Sequence, residues 1–394
     1  MTPTPPEAAC GRASSGCALS PQGAPLAARQ SRFRGGPLNS PFYVTPSLII
    51  APQWIGDAVM TEPLLRRLHA RGERLTVGAL PWVAPVYRAM PQVAAVVEFP
   101  FQHGGLQFKA RRRLARELAG NFEAAYVLPN SLKSALLPFL ASIPRRIGYL
   151  GEARVGLLTH RLKNPKSKPP MVAFYSALSG QTDVANDRPR LALPEGDAAR
   201  VAAAQGLAVG GFYTFAPGAE FGGSKRWPAG HYAQLAQRLD APVVLLGSGK
   251  EAALCEEIAQ AAQAGQTVPI RCLNLAGRTT LAEALALIAG ARAMISNDSG
   301  LMHVAAAFGV PQAALFGSSS PLHTPPLNDR AAVLWLKQDA AYQPPLDCAP
   351  CFERECPLGH HRCLVDLGPD RVLRALGTVV PAGPLGDADC AAHA

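Results

Sequence analysis

Four times between residues 213 and 303 a short apolar run ends in a turn bearing Gly or Ser and passes straight into a helical pattern. The runs are 213–216, 243–246, 272–275 and 293–296, and a fifth follows at 312–316. Helical segments fall between or after them at 231–239, 251–262, 281–289 and 302–308. Strands that are apolar along their length and alternate with helices are buried on both faces. They predict a parallel sheet covered by helices on either side. The first half repeats the scheme less regularly, with strands at 48–51, 75–79, 95–99, 124–128 and 146–149 and helices at 57–70 and 111–119. The chain therefore reads as α/β, with two doubly wound sheets in series.

At 394 residues the chain exceeds one typical core, and its 48% apolar content is ample for burial. Residues 1–46, rich in Pro, Ala, Gly and Ser and lacking an apolar signal core, read as a disordered leader or an over-long start outside the fold. The predicted organisation is a first domain over 47–185, a polar, Pro-containing linker over 186–211, a second domain over 212–340 and a Cys-rich tail over 341–394. The longest apolar stretch, 281–295, is interrupted by Glu283 and Arg292, so no transmembrane helix is expected. Nine cysteines without an export signal fit a reducing cytosol better than a disulfide framework.

The net charge of +10 is uneven: residues 47–185 hold 18 Lys+Arg against 8 Asp+Glu, a balance of +10 in this half alone. Solvated faces would account for it, as would an anionic partner docked there: nucleic acid, a phosphorylated substrate or a membrane surface. Few aromatics interleave with the cations and no nucleic-acid motif is present, which disfavours the first. Arg145 and Arg146 are candidate contacts for such a partner.

The turns carry the chemistry. Gly56 and Asp57 follow the first strand and open a helix; the acid is either an N-cap or a general base facing the cleft. Gly222-Gly223-Ser224-Lys225 gathers amides, a hydroxyl and a cation, as phosphate binding requires, without Walker A spacing. Glu251, after Gly247-Ser248-Gly249, suits ribose hydroxyls or a helix dipole equally. Leu275 and Ala276 could flank a base. Asp298, Ser299 and Gly300 start a helix whose first N–H groups favour an anion, and His303 lies one turn in on the same face. Capping and core roles remain open for each taken singly. No G-x-G-x-x-G fingerprint supports a dehydrogenase.

In this order, Trp54-Ile55-Gly56-Asp57, Pro217-Gly218 through Trp227-Pro228, Leu246 through Glu251 and Asn297 through His303 resemble the ADP-heptose:lipopolysaccharide heptosyltransferases, glycosyltransferase family 9. The resemblance runs from about Ser47 to beyond Pro321 and implies the two-domain GT-B architecture and an inverting mechanism. It implies that Asp57 is the base, Lys225 neutralises the diphosphate with Ser224 as a second contact, Glu251 holds the ribose, and Leu275 and Ala276 border the adenine. Asp298 would bind heptose hydroxyls, with Ser299, Gly300 and His303 along the diphosphate and sugar. ADP-heptose is then the donor substrate, no cofactor is required, and a Kdo-lipid A type acceptor docks on the basic half, at the cytoplasmic side of the inner membrane. The branch adding the second core heptose is the best match; addition of the first or a later heptose is the alternative, and a non-catalytic binding protein on the same scaffold is a second.

Cys348, Cys351, Cys356 and Cys363, with two histidines, fall within sixteen residues. A zinc or iron–sulfur site is conceivable, but the intervals are irregular and a second C-x-x-C is missing. This tail resembles that of the second-heptose branch, and a structural or redox-sensitive tail is expected ahead of a metal.

Overall fold

Consecutive residues of the central strands point into different cores. Ile49 packs on one side of its strand while Leu48 and Ile50 pack on the other; Met294 is set against Ala293 and Ile295 in the same way. Only a strand covered on both faces has this property. In the computed structural model, which describes residues 44–380 apart from 102–104, 168, 182, 185–186 and 268–269, these strands lie at the middle of two all-parallel sheets.

The first sheet has the order β3-β2-β1-β4-β5-β6, from β1 (Thr45–Ile50), β2 (Glu73–Ala79), β3 (Val93–Glu98), β4 (Ala124–Val127), β5 (Arg145–Tyr149) and β6 (His160–Leu162). Its helices are α1 (Ile55–Met60), α2 (Glu62–Ala70), α3 (Ala84–Arg88), α4 (Phe108–Leu118), α5 (Leu132–Leu140) and α6 (Met171–Ser176). The second has the order β12-β11-β10-β7-β8-β9, from β7 (Tyr213–Ala216), β8 (Val243–Leu245), β9 (Cys272–Asn274), β10 (Ala293–Asn297), β11 (Gln312–Phe316) and β12 (Ala331–Trp335). Its helices are α8 (Ala229–Ala236), α9 (Ala252–Gln263), α10 (Leu281–Ala289) and α11 (Gly300–Ala307), preceded by α7 (Asp197–Ala204). The edge strands β6 and β12 were not expected from the sequence. β6 is only three residues long and polar (His-Arg-Leu), and β12, though apolar, is only partly buried along its first three residues, as suits strands with a neighbour on one side alone.

The leader expected over 1–46 lies outside the described residues up to position 43, but Thr45 and Pro46 already pair with Glu73 and Arg74 in the first sheet. The stretch 186–211 has linker composition and is nevertheless built in. It carries α7, buries Leu191, Val201, Ala202 and Leu207, and bonds to both halves through Ala192 N–Ala89 O (2.8 Å) and Leu191 N–Ala307 O (3.1 Å). One core cluster runs from α1 and α2 through this stretch to α10 and α11, so the two sheets share a hydrophobic interior. The tail returns to the second sheet: α12 (Arg362–Val365), α13 (Pro369–Val379) and the turn between them contribute Leu364, Leu367, Val372 and Leu376 to its outer core. Buried Trp227 donates Nε1–H to Leu367 O at 2.7 Å, which pins that return. No helix among the described residues is long and apolar enough to cross a membrane.

Candidate active site between the two sheets

In a parallel sheet every strand-to-helix turn emerges at the carboxyl rim, and here the two rims face one cleft. The first turns of α1 and α11 touch directly. A β-carbon added at Gly56 would lie 2.9 Å from His303 Cδ2, and one added at Gly300 would lie 2.8 Å from Ile55 Cβ and 3.1 Å from Gly56 N. The two glycines thus set how closely the lobes approach, and Asp57, next to Gly56, is carried to the second lobe. The carboxyl of Asp57 is raised above the ordinary range chiefly by burial; the Tyr175 hydrogen bond (2.9 Å) and nearby His323 oppose the rise, and Asp298 adds to it. A carboxylate that feels Asp298 belongs to the same site.

On the second lobe Lys225 Nζ lies 2.6 Å from Asp298 Oδ2, and both side chains are largely buried. Asn297 arranges the surroundings. Its Oδ1 accepts from Trp227 N (3.0 Å) and Tyr232 Oη (3.1 Å), and its Nδ2 donates to Pro217 O (2.7 Å), so one amide ties β10 to the turn after β7. The Gly-Gly-Ser-Lys loop differs from the expected anion cradle. Gly223 N donates to Glu355 Oε1 (3.2 Å) and Ser224 N to Arg354 O (3.0 Å). The buried Ser224 hydroxyl bonds Ser318 Oγ (3.0 Å) and the Glu353 carbonyl. These groups face the tail rather than the cleft, and Ser224 is not placed to meet a diphosphate. Lys225 alone of this loop is directed at Asp298.

A cavity of about 690 Å³ opens between the lobes, lined on one side by Trp54, Ile55 and Trp82 and on the other by Ser248, Glu251 and Ser299 among others. Such a volume suits a nucleotide-sized ligand. Ser248 and Glu251 form a capping box, in which Glu251 Oε2 accepts from Ser248 N (2.6 Å) and Oγ (2.5 Å). Gly218 leaves room for that carboxylate, since a β-carbon there would come within 2.5 Å of Glu251 Cγ. Ser299 takes the extended N-cap conformation of α11, yet its buried hydroxyl makes no hydrogen bond among the described residues. Gly300 also lines the cavity, whereas His303 is buried behind Gly56, and desolvation lowers its imidazole to about 4. Leu275 and Ala276 do not reach the cavity. β9 ends at Asn274, both residues turn into the cores, and the wall at that end is Thr279, Thr280, Leu281 and Ala284.

Arg145 and Arg146 are likewise away from the cleft. They open β5, and the start of a parallel strand lies at the amino edge of the sheet. Arg146 is occupied by Leu157 O (2.7 Å) and Ile143 O (2.6 Å), so neither arginine is placed as an acceptor contact. Cys348, Cys351, Cys356 and Cys363 are free thiols that share a small pocket with Ser224 and Ser318 under the Lys225 loop. Burial, then the neighbouring sulfurs, push the Cys363 thiol up to about 11. Among the described residues no group of three or more Cys, His, Asp or Glu is arranged to hold a metal. Three site residues had no local sequence signal: Tyr175, His323, and Thr324, whose hydroxyl lies 3.4 Å from Asp298 Oδ1.

Comparison with known proteins agrees with this geometry. The profile of glycosyltransferase family 9 (heptosyltransferase) matches residues 111–361. Lipopolysaccharide heptosyltransferase 2 of Escherichia coli (strain K12) is 40% identical over 362 residues, covering 84% of this chain and 98% of that protein. Lipooligosaccharide heptosyltransferase 2 of Haemophilus influenzae is 37% identical over 350 residues, covering 84% and 99%. The solved structure of E. coli ADP-heptose lps heptosyltransferase II superposes with a TM-score of 0.73 at 38% identity, covering 85% of this chain and 98% of the other. With two facing parallel sheets, an acid and a cation at their common rim and these relatives, the chain belongs to glycosyltransferase family 9, the heptosyltransferases, and has the GT-B fold.

Proposed function

We propose that this enzyme moves L-glycero-D-manno-heptose from ADP-heptose to the first heptose of the lipopolysaccharide inner core, on heptosyl-Kdo2-lipid A, with inversion at the anomeric carbon. The substrates are those suggested by the names of its 40% and 37% identical relatives. Within the molecule, the observation that carries the reading is the convergence of Asp57 with the Lys225–Asp298 pair at one rim.

Asp57 takes the proton of the acceptor hydroxyl as its oxygen bonds to the anomeric carbon, and the bond from that carbon to the diphosphate breaks to release ADP. A base whose carboxyl is raised by burial is better matched to such a proton transfer than an exposed aspartate. Lys225 offsets charge developing on the departing diphosphate, helped by the N-terminus of α11 at Ser299 and Gly300. Asp298 orients sugar hydroxyls while holding Lys225. Glu251, with Oε2 engaged by Ser248, offers Oε1 to the ribose. None of these steps calls on a cofactor. The basic first lobe attracts the anionic acceptor at the cytoplasmic face of the inner membrane, so salt should weaken acceptor binding more than donor binding.

The test is an assay with ADP-heptose and two defined acceptors, one carrying a single heptose and one carrying none. Product mass showing transfer only to the one-heptose acceptor supports the reading. Transfer to the heptose-free acceptor would instead assign the first-heptose reaction, and ADP-heptose binding without transfer to either would make the chain a binding protein.

A further inference from the structure

The carboxyl rim of the first sheet exposes a large apolar side chain on nearly every connection. Trp54 follows β1, Trp82 follows β2, Leu106 and Phe108 follow β3, Leu132 follows β4 and Val155 follows β5, each between 38 and 54% exposed. In the strand order β3-β2-β1-β4-β5 they form a line about 20 Å long, at about 4.8 Å per strand. Scattered exposed apolar residues need no explanation, but a contiguous row beside a cleft does.

The row is held in place. Arg111, itself buried, donates Nε–H to Leu106 O at 2.7 Å and stacks over Phe101 at 4.1 Å, which ties Leu106 to the first turns of α4, where Phe108 stands. Fully buried Arg154 bonds Pro129 O (2.6 Å), Asn130 Oδ1 (3.0 Å) and Tyr149 O (2.9 Å), while Glu152 accepts from Leu132 N (2.8 Å). The segment bearing Val155 is thereby locked to the one bearing Leu132. Exposed Lys109 and Arg112 on α4, with Lys163 and Lys166 beyond β6, flank the row, and the lobe carries the whole net charge of the chain.

We propose that this rim docks on an anionic lipid bilayer, inserting Leu106, Phe108, Leu132 and Val155 at the headgroup level while the flanking cations meet lipid phosphates. Apolar side chains ringed by lysine and arginine are the combination an anionic bilayer surface selects. The cleft opens along the same rim, so a lipid-linked acceptor would reach Asp57 without leaving the membrane; this last point rests on the function proposed above.

Co-sedimentation of the full chain with vesicles tests it. Vesicles with about one-third anionic phospholipid should bind at least about tenfold more tightly than purely zwitterionic ones, and added salt should weaken that binding. The triple substitution Leu106→Ser, Phe108→Ser, Leu132→Ser should lower partition by about tenfold or more, leaving transfer to a deacylated, soluble acceptor unchanged. Should that variant lose its native circular dichroism, Lys109→Glu with Lys163→Glu takes its place, with the same expected loss. Equal binding to neutral and anionic vesicles, or a folded variant that binds like the parent, overturns the proposal. A parent that fails to act on the soluble acceptor would count against the function and leave the vesicle result standing.

Discussion

The Tyr175 hydroxyl donates a hydrogen bond to Asp57 Oδ1 at 2.9 Å, and the second lobe holds the helix that bears this tyrosine. Met171 N donates to His323 O (3.0 Å) at the start of α6, and His323 Nδ1 pairs with Pro169 O at 2.8 Å. A carbonyl can only accept, so Nδ1 of His323 is the donor in that bond. Phe174 stacks on Tyr149 at 4.1 Å and steadies the same helix. Tyr175 is therefore a positioning residue for the proposed base. A hydrogen bond to a carboxylate lowers its pKa, so in Tyr175→Phe the carboxyl of Asp57 should rise further and the acid limb of kcat/KM should move to higher pH. Activity near neutrality should fall by about tenfold, with the KM for the donor nearly unchanged. A pH–rate profile checks this; an unmoved acid limb would assign Tyr175 to packing alone.

Asp57→Asn separates catalysis from stability. Loss of a general base typically costs about 10²- to 10⁴-fold in rate, and ADP affinity measured by calorimetry should survive. The sign on stability is opposite. The folded-state carboxyl is raised, so the native protein binds the proton more tightly than the unfolded chain, and stability falls as pH rises through the window above 3.8. At pH 7, above that window, burial of this carboxyl is a net cost that asparagine removes. The variant should melt at a higher temperature than the parent at pH 7, and the gap should close when both are melted near the unfolded-state value.

Lys225 and Asp298 are 2.6 Å apart and mostly buried, which makes either one costly without the other. Lys225→Met should cost about 3 kcal/mol of unfolding free energy by leaving Asp298 unpaired in a poorly solvated site. The double variant Lys225→Met, Asp298→Asn should regain most of it, while transfer stays low in both because the diphosphate has lost its cation. Denaturant midpoints of the two single variants and the double variant form the cycle that measures this coupling.

Burial also fixes the charge of His303. Its imidazole is lowered from 6.5 to about 4, so its neutral form is the one that folds, and stability present above 6.5 is lost as pH falls toward 4. At pH 5 the loss attributable to this residue should be about 2 kcal/mol. Urea midpoints at pH 7 and pH 5 give the drop for the parent, and His303→Asn should make it smaller by that amount.

How much of this was legible depends on the range of the contact involved. The strand 213–216, the Gly-bearing turns and Asp57 beside Gly56 were readable because turn chemistry and strand periodicity are local. Ser224 was misplaced because Glu353, Arg354 and Glu355, some 130 positions later, return to cover its loop; no spacing rule reports that return. Leu275 and Ala276 do not line the cavity because an apolar turn can serve a core as well as a ligand, and here Leu275 joins one core and Ala276 the other; composition alone does not separate the two uses. Arg146 could have been placed correctly. Reading 146–149 as a parallel strand already puts its first residue at the edge away from the cleft. Tyr175 and His323 reach Asp57 only through the packing of α6 between the lobes.

The approach of the lobes rests on two hydrogen atoms, the missing side chains of Gly56 and Gly300. Neither has a positive φ, so alanine meets no backbone strain at either position and acts only through space. At Gly300 the added β-carbon would meet Ile55 Cβ at 2.8 Å and Gly56 N at 3.1 Å; the latter is backbone and cannot rotate aside. At Gly56 it would meet the rim of the His303 ring at 2.9 Å, and that ring is buried with little room to turn. Overpacking of this kind costs about 1–3 kcal/mol, unless the contact relaxes by letting the lobes part. The lobes share one core cluster, but each also keeps an outer core of its own, so a slight parting at the rim disturbs less packing than unfolding a sheet, and Gly300→Ala should open the cleft. The expected outcome is a small loss of melting temperature, a larger radius of gyration by small-angle scattering, and a fall in kcat/KM of about 10²-fold from misplacement of Asp57 against the donor site. A variant with unchanged scattering and full activity would mean that α1 and α11 do not set the working distance between acid and cation.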